Sequence, residues 1–277
     1  MGLLSILVPI ALLLFRTWNA ERTDQAKSLC FADSGPDDQK LAACNTLIST
    51  PWVAPEYRSA AYRNRGIVDL KKGLDDQAID DNTQAISLNP QDDAAYNNRG
   101  LANSREGHFD HAIADFSRAI VIDPDGIEAY VNRGDALFKT AHYESAIADQ
   151  TKALSLNSLD ESALVDRAGD YAATGQFDRA FDDESRAIGL SPDDAEAYYD
   201  RSIVRHLKGD DALALSDVNK ALDLDSGYSR AYELRGEILE KLGQRENAIA
   251  DYRSALHLNP NVPDAKERLA RLESGIR

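Results

Sequence analysis

The chain has 277 residues, 31 Lys plus Arg against 47 Asp plus Glu, a formal net charge of −16 and 43% hydrophobic residues. That hydrophobic share supports a packed core, and the acidity opposes broad nucleic-acid binding because phosphates would be repelled. Two cysteines exclude a multi-disulfide scaffold and a four-cysteine zinc site, and no apolar run reaches the length of about 18 residues that a membrane-spanning helix needs.

Leu3 to Phe15 reads LLSILVPIALLLF, apolar apart from Ser5, which is the length of a signal-peptide core. No Lys or Arg precedes it, Arg16 follows it, and cleavage after Ala20 would put Trp18 where a small residue is wanted. Residues 1–20 are therefore expected to be an export signal. An uncleaved membrane anchor over 3–15 and a buried core helix are the other readings. A helical leader follows over 21–58, with Cys30 and Cys44 on either side of a break at Ser34-Gly35-Pro36. A hairpin there would bring the sulfurs together. A disulfide fits an oxidising compartment, while two small buried thiols would fit a reducing one. Signal and cysteine pair both point to export.

From residue 59 the sequence repeats. Arg plus a small residue recurs as Arg65-Gly66, Arg99-Gly100, Arg133-Gly134, Arg167-Ala168, Arg201-Ser202 and Arg235-Gly236, each step 34 residues. Ala78, Ala112, Ala146, Ala180, Ala214 and Ala248 keep the same register, as do Ala85, Ala119, Ala153, Ala187, Ala221 and Ala255. The units are 59–92, 93–126, 127–160, 161–194, 195–228 and 229–262. Each predicts helix, turn, helix. The first helix stops at a glycine (Gly73, Gly107, Gly175, Gly209, Gly243), Ala141 being the exception, and the second is amphipathic, as Ala112, Ile113, Phe116, Ala119 and Ile120 illustrate.

This pattern resembles the tetratricopeptide repeat family over 59–262, about three quarters of the chain. The resemblance implies an all-α, right-handed superhelical solenoid whose first helices line a concave groove where partner segments bind. It departs from the family at the second-helix aromatic, which is Phe116 and Tyr252 in two units but Asn82, Gln150, Glu184 and Val218 in the others. Leu164 also replaces a first-helix tyrosine, and looser local packing is expected at these places. Residues 263–277 read as a capping helix, with Leu269 and Leu272 on the last unit.

Two charges repeat without exception: Arg65, Arg99, Arg133, Arg167, Arg201 and Arg235 on first helices, and Asp81, Asp115, Asp149, Asp183, Asp217 and Asp251 on second helices. A guanidinium near a helix interface needs a planar partner, so an Arg–Asp ladder within or between units is expected. The residue before each Arg is Asn64, Asn98, Asn132, Asp166, Asp200 and Leu234. It is similar to the asparagine run in the repeat segment of the O-linked N-acetylglucosamine transferases, which holds a peptide backbone. The same side chains could equally cap or hydrate an exposed helix face.

Groove positions change sign along the chain, from Arg63, Lys71 and Arg105 to Glu128, Asp135, Asp166, Glu196, Asp200, Glu233, Glu237 and Glu240, with Tyr199 among them. A partner with a basic segment is favoured, although such charge also serves solubility. The carboxylate clamp of chaperone-binding family members is broken here by Ile67 and Glu128. His108 and His111 lack a third ligand, and there is no phosphate loop, nucleophile elbow or H-E-x-x-H. The expectation is a non-catalytic scaffold, without cofactor, that binds an extended peptide or partner helix in its groove. An envelope assembly factor and a carbohydrate-binding or carbohydrate-active protein are the alternatives. The resemblance to family members with a Cys-bearing leader implies a bacterial, periplasmic location.

Overall fold

A computed structural model describes residues 20–262 and 264–274, all of it helix, turn or loop. The expected signal or anchor segment over 3–15 lies outside the described residues. No described helix is long and apolar enough to cross a membrane. The chain divides into two compact units, one ending at Thr140 and one beginning at Ala141.

In the first unit α1 covers 20–30. It is followed by α2 (Asp37–Ser49), α3 (Pro55–Lys72), α4 (Asp75–Leu88), α5 (Asp93–Arg105), α6 (Phe109–Ile122) and α7 (Ile127–Lys139). From α2 onward each helix packs on the next, and α3, α5 and α7 also touch in sequence, so these first helices lie side by side. Cys30 and Cys44 are bonded, with Cα atoms 4.9 Å apart, and both are fully buried with Ala26, Leu47, Val53 and Ala61. The bond therefore ties α1 to α2 inside a small core that also holds the start of α3.

The second unit runs α8 (Tyr143–Leu156), α9 (Glu161–Ala173), α10 (Phe177–Leu190), α11 (Ala195–Lys208), α12 (Asp211–Leu224), α13 (Ser229–Lys241), α14 (Arg245–Leu258) and α15 (Ala265–Ser274). Again each packs on its successor, and α9, α11 and α13 touch in sequence. At the end, Leu269 and Leu272 of α15 lie on the buried cluster of Leu239, Ala248, Tyr252 and Ala255.

Small residues let the two helices of a pair approach. A Cβ on Gly100 would stand 2.6 Å from the Phe116 ring, and one on Gly236 would stand 2.8 Å from Tyr252. The same second-helix position carries Asn82, Gln150, Glu184 and Val218, and none of these is looser: their exposures are 0%, 0%, 2% and 0%. The expectation of loose packing is corrected on this point. Where the ring is missing, a polar or smaller side chain fills the gap and is buried with it. Leu164 is likewise fully buried.

Helix ends follow the glycine pattern, including its exception. Gly107 has φ 77°, and Ala141 takes the equivalent place with φ 60°. An L-residue in this region crowds Cβ against the carbonyl, at roughly 1–2 kcal/mol. Ala141→Gly should therefore raise stability by about 1 kcal/mol, since glycine's larger unfolded-state entropy offsets part of the relief. A urea midpoint that falls or stays constant would show the turn to be unstrained.

Candidate functional site

The most regular polar feature is the ladder. Arg65 holds Asp81 through Nε and Nη2 at 2.7 and 2.6 Å, and Arg99 holds Asp115 at 2.8 and 2.7 Å. In the second unit Arg167 pairs with Asp183, Arg201 with Asp217 and Arg235 with Asp251 by the same two-pronged contact at 2.7–2.9 Å. Arg133 and Asp149 belong to different units. The hydrogen bond to the carboxylate holds the guanidinium of Arg65, Arg99, Arg167 and Arg235 above its usual range, against burial, which acts the other way.

Each arginine has a third arm that sequence reasoning missed. Nη1 donates to a side chain of the preceding second helix: Thr83 from Arg99, Ser117 from Arg133, Thr151 from Arg167, Ser185 from Arg201 and Asn219 from Arg235. Arg65 reaches Asn45 of α2 in the same manner. Every rung with both arms described thus joins three helices. A ring covers each guanidinium as well, Tyr62, Tyr96, Tyr130, Tyr198 and Tyr232 lying 5.3–6.0 Å away. In the fourth repeat, where Leu164 replaces that tyrosine, Tyr171 approaches Arg167 at 5.6 Å from the next turn.

The row preceding the arginines has a varied fate. Asn64 donates to the Cys30 carbonyl at 3.0 Å, so the leader occupies it. Asn98 is half-buried, and its Nδ2 has no partner. Asn132 donates to Asn97 at 3.0 Å. Asp166 accepts from Gln150 at 3.3 Å. Asp200 makes no hydrogen bond or ion pair among the described residues. Leu234 is buried with Val218.

A rule links these residues to the core. Each stands 16 residues after the variable second-helix position: Asn98 after Asn82, Asp166 after Gln150, Asp200 after Glu184, Leu234 after Val218. Polar follows polar, and apolar follows apolar. Phe116 with Asn132 is the mixed case. Asn82 Oδ1 and Glu184 Oε2 are buried without partners. Burial, and after it the neighbouring Asp200, pushes the Glu184 carboxyl up to about 9. Burial and Glu196 push Asp200 up to about 6.

The expected charged lining is partly consumed within the chain, which corrects the simple change of sign. Arg63 is held by Asp92 at 2.9 and 3.0 Å, and Arg105 by the Leu70 carbonyl at 2.7 Å and by Asp75 at 3.5 Å. Of the early cations, only Lys71 stands exposed without such a tie. At the other end Glu237 pairs with Arg268 at 2.7 Å, Glu240 with Arg268 and Arg271, and Glu233 faces the backbone amides of Asp264 and Ala265. Glu128 is exposed, and Asp135 lies 3.9 Å from Lys139. Tyr199 packs on Tyr228 with ring centroids 4.9 Å apart. The rings of His108 and His111 are 6.1 Å apart, and the described residues contain no group of three ligands suited to a metal.

Family models of the tetratricopeptide repeat match residues 94–125, 127–158, 165–229 and 229–262, more than half of the chain. The chain belongs to the tetratricopeptide repeat family. Among solved structures, a tetratricopeptide repeat protein from Parabacteroides merdae matches with TM-score 0.69 at 22% identity, over 92% of this chain and 98% of its own. YrrB, a repeat protein with an unusual peptide-binding site, matches with TM-score 0.54 at 22% identity, over 67% of this chain and 96% of its own. PilF of Pseudomonas aeruginosa matches with TM-score 0.66 at 15% identity, over 78% and 99%. At these identities the likeness is one of fold. No curated protein matches the sequence. Tetratricopeptide repeats are in general non-catalytic scaffolds for protein–protein interaction, and that is the coarse reading this chain inherits.

Proposed function

We propose that this tetratricopeptide repeat protein holds an extended segment of another protein against the first helices of its repeats, and does no chemistry on it. The observation that carries the reading is the uneven use of the row. In the first unit the leader takes Asn64 while Asn98 Nδ2 keeps no partner, and in the second unit the residues around α15 take Glu233 and Glu237 while Asp200 makes no hydrogen bond or ion pair among the described residues. An amide donates and accepts at once, so it can grip main chain whatever the side chains are. The acidic residues left uncommitted, Glu128 and Asp200 above all, favour a partner with basic character. The peptide-binding site named for YrrB supports the same use of a related fold. The Cys30–Cys44 bond supports an exported, periplasmic location, since such bonds persist in oxidising compartments.

The test is a selection of random peptides displayed on phage against the folded chain, with enriched peptides measured by calorimetry. Asn98→Ala combined with Asn132→Ala should weaken them about 10–100-fold, as expected for two main-chain hydrogen bonds in a half-buried site. Equal affinity in wild type and variant, or a selection that enriches nothing, would remove the groove from the account.

A further inference from the structure

Glu184 of the second unit is a buried carboxyl whose chemistry the scaffold leaves unexplained. It takes the place of a core aromatic, is 2% exposed, and its Oε2 has no hydrogen-bond partner. A second carboxyl, Asp200 of α11, is its strongest charged neighbour. The other charges near Glu184 are already committed: Asp183 to Arg167, and Arg201 to Asp217. Asp200 makes no hydrogen bond or ion pair among the described residues, and the cations that act on the two carboxyls are held elsewhere, Arg201 by Asp217 and Arg230 over two aromatic rings, so neither carboxyl has a cation of its own.

The rim of this place shows what fits. Tyr199 and Tyr228 form a tilted ring pair, and the charge of Asp200 acts on both of their hydroxyls. The guanidinium of Arg230 lies over both rings, 5.2 and 5.8 Å from their centroids, and 3.7 Å from Glu196. Arg230 and Glu196 are 54% and 66% exposed, so this contact is a weak surface one that an incoming group can displace. A hard divalent cation would want an all-oxygen cage, whereas half of this lining is aromatic.

We propose that Glu184 and Asp200, walled by Tyr199 and Tyr228 and rimmed by Glu196, form a receptor for one lysine or arginine side chain of the bound segment, with Arg230 as its stand-in when the segment is absent. This rests on the scaffold reading and adds a side-chain specificity to it. The cation neutralises the pair, the rings cover its methylenes, and Arg230 swings off the rings toward solvent. Glu184 is protonated at neutral pH and ionises as the ammonium or guanidinium arrives, its proton passing to the buffer. The groups facing this event are Asp200 and Arg201 from α11 and Asp183 on the same helix, together with Asp194 before α11 and Glu196 and Arg230 on the rim.

The probes are two blocked peptides, Ala-Ala-Lys-Ala-Ala and the same peptide with norleucine for lysine, titrated calorimetrically at pH 7 in two buffers of different ionisation enthalpy. The lysine peptide should bind about tenfold or more tightly than the norleucine peptide and release close to one proton. Glu184→Gln, a neutral isostere that keeps the fold, should abolish the proton release. Asp200→Asn should remove most of the lysine preference, and Arg230→Ala should tighten binding about threefold by removing the competitor. Equal affinity of the two peptides, no binding of the lysine peptide up to about 5 mM, or proton release that persists in Glu184→Gln would overturn the receptor. If the norleucine peptide binds as tightly as the lysine peptide and both are weakened in the Asn98/Asn132 double variant, the scaffold stands and only this receptor falls.

Discussion

Asp183→Ala should cost the second unit about 3–5 kcal/mol, several times what the substitution would cost at an exposed ion pair. Arg167 and Asp183 are 13% and 5% exposed and meet through two hydrogen bonds of 2.7 and 2.8 Å. Removing the carboxylate strands a guanidinium whose remaining contacts are Thr151 at 3.0 Å and the Tyr171 ring. A half-broken buried pair is far worse than none. Hence Arg167→Met combined with Asp183→Leu should recover most of the loss, because apolar groups of similar volume need no partner. Urea unfolding of the single and double variants measures both effects. A single variant within about 1 kcal/mol of wild type would show that the rung is solvent-screened and structurally idle.

Stability should fall as pH rises from about 5 to 9, and Glu184 should be the cause. The carboxyl ionises near 4.5 in the unfolded chain and near about 9 in the folded one. Below pH 4.5 both states are protonated and the group is neutral in the balance. Between the two values the unfolded chain releases its proton and the native state does not, so unfolding becomes progressively easier. At pH 7 the penalty is on the order of 3 kcal/mol, and it grows until the native carboxyl itself ionises. Asp200, raised to about 6, works in the same direction over the acidic part of the range. Glu184→Gln should flatten the profile, and Glu184→Leu should stabilise the protein at pH 7, because an apolar side chain of similar volume needs no partner in that buried place. If wild type and Glu184→Gln lose stability in parallel from pH 5 to 9, the burial of that carboxyl has no energetic consequence.

How far these features are legible in the sequence depends on the kind of information a repeat carries. A 34-residue period places like residues at like positions, so Arg65 and its five successors and Asp81 and its five successors announce themselves. Their chemistry then dictates a partner, because a guanidinium near an interface requires a carboxylate. The third arm carries the same period but changes identity among Thr83, Ser117, Thr151, Ser185 and Asn219. A search for one residue type passes over it, whereas a search for small hydrogen-bonding residues two places after each Asp would have found it.

Periodicity gives positions and not neighbours. Asn64 reads like Asn98, yet only Asn64 meets the leader, because a carbonyl of α1, one repeat length back, lies where the first helix of a preceding repeat would otherwise run. Arg63 reads as an open cation but is captured by Asp92, whose other task is to accept from the Ala95 amide at the start of α5. Ala141 shows the reverse: a single departure in a column of glycines correctly marks a strained turn. Leu164 shows a compensation that no column reveals, since the replacement ring comes from Tyr171, two turns further along the helix.

Because the fully described rungs reach 16 residues back and 16 forward, the ladder is indifferent to copy number. Removing 195–228 as a block would set Arg235 sixteen residues after Ser185, where Arg201 now stands, with Asp251 still ahead of it. The buried pairs are not interchangeable in this way, for Glu184 would then face Leu234 in place of Asp200. An array built like this can lengthen or shorten by whole copies over evolutionary time, while each polar pair marks one copy as unlike the rest.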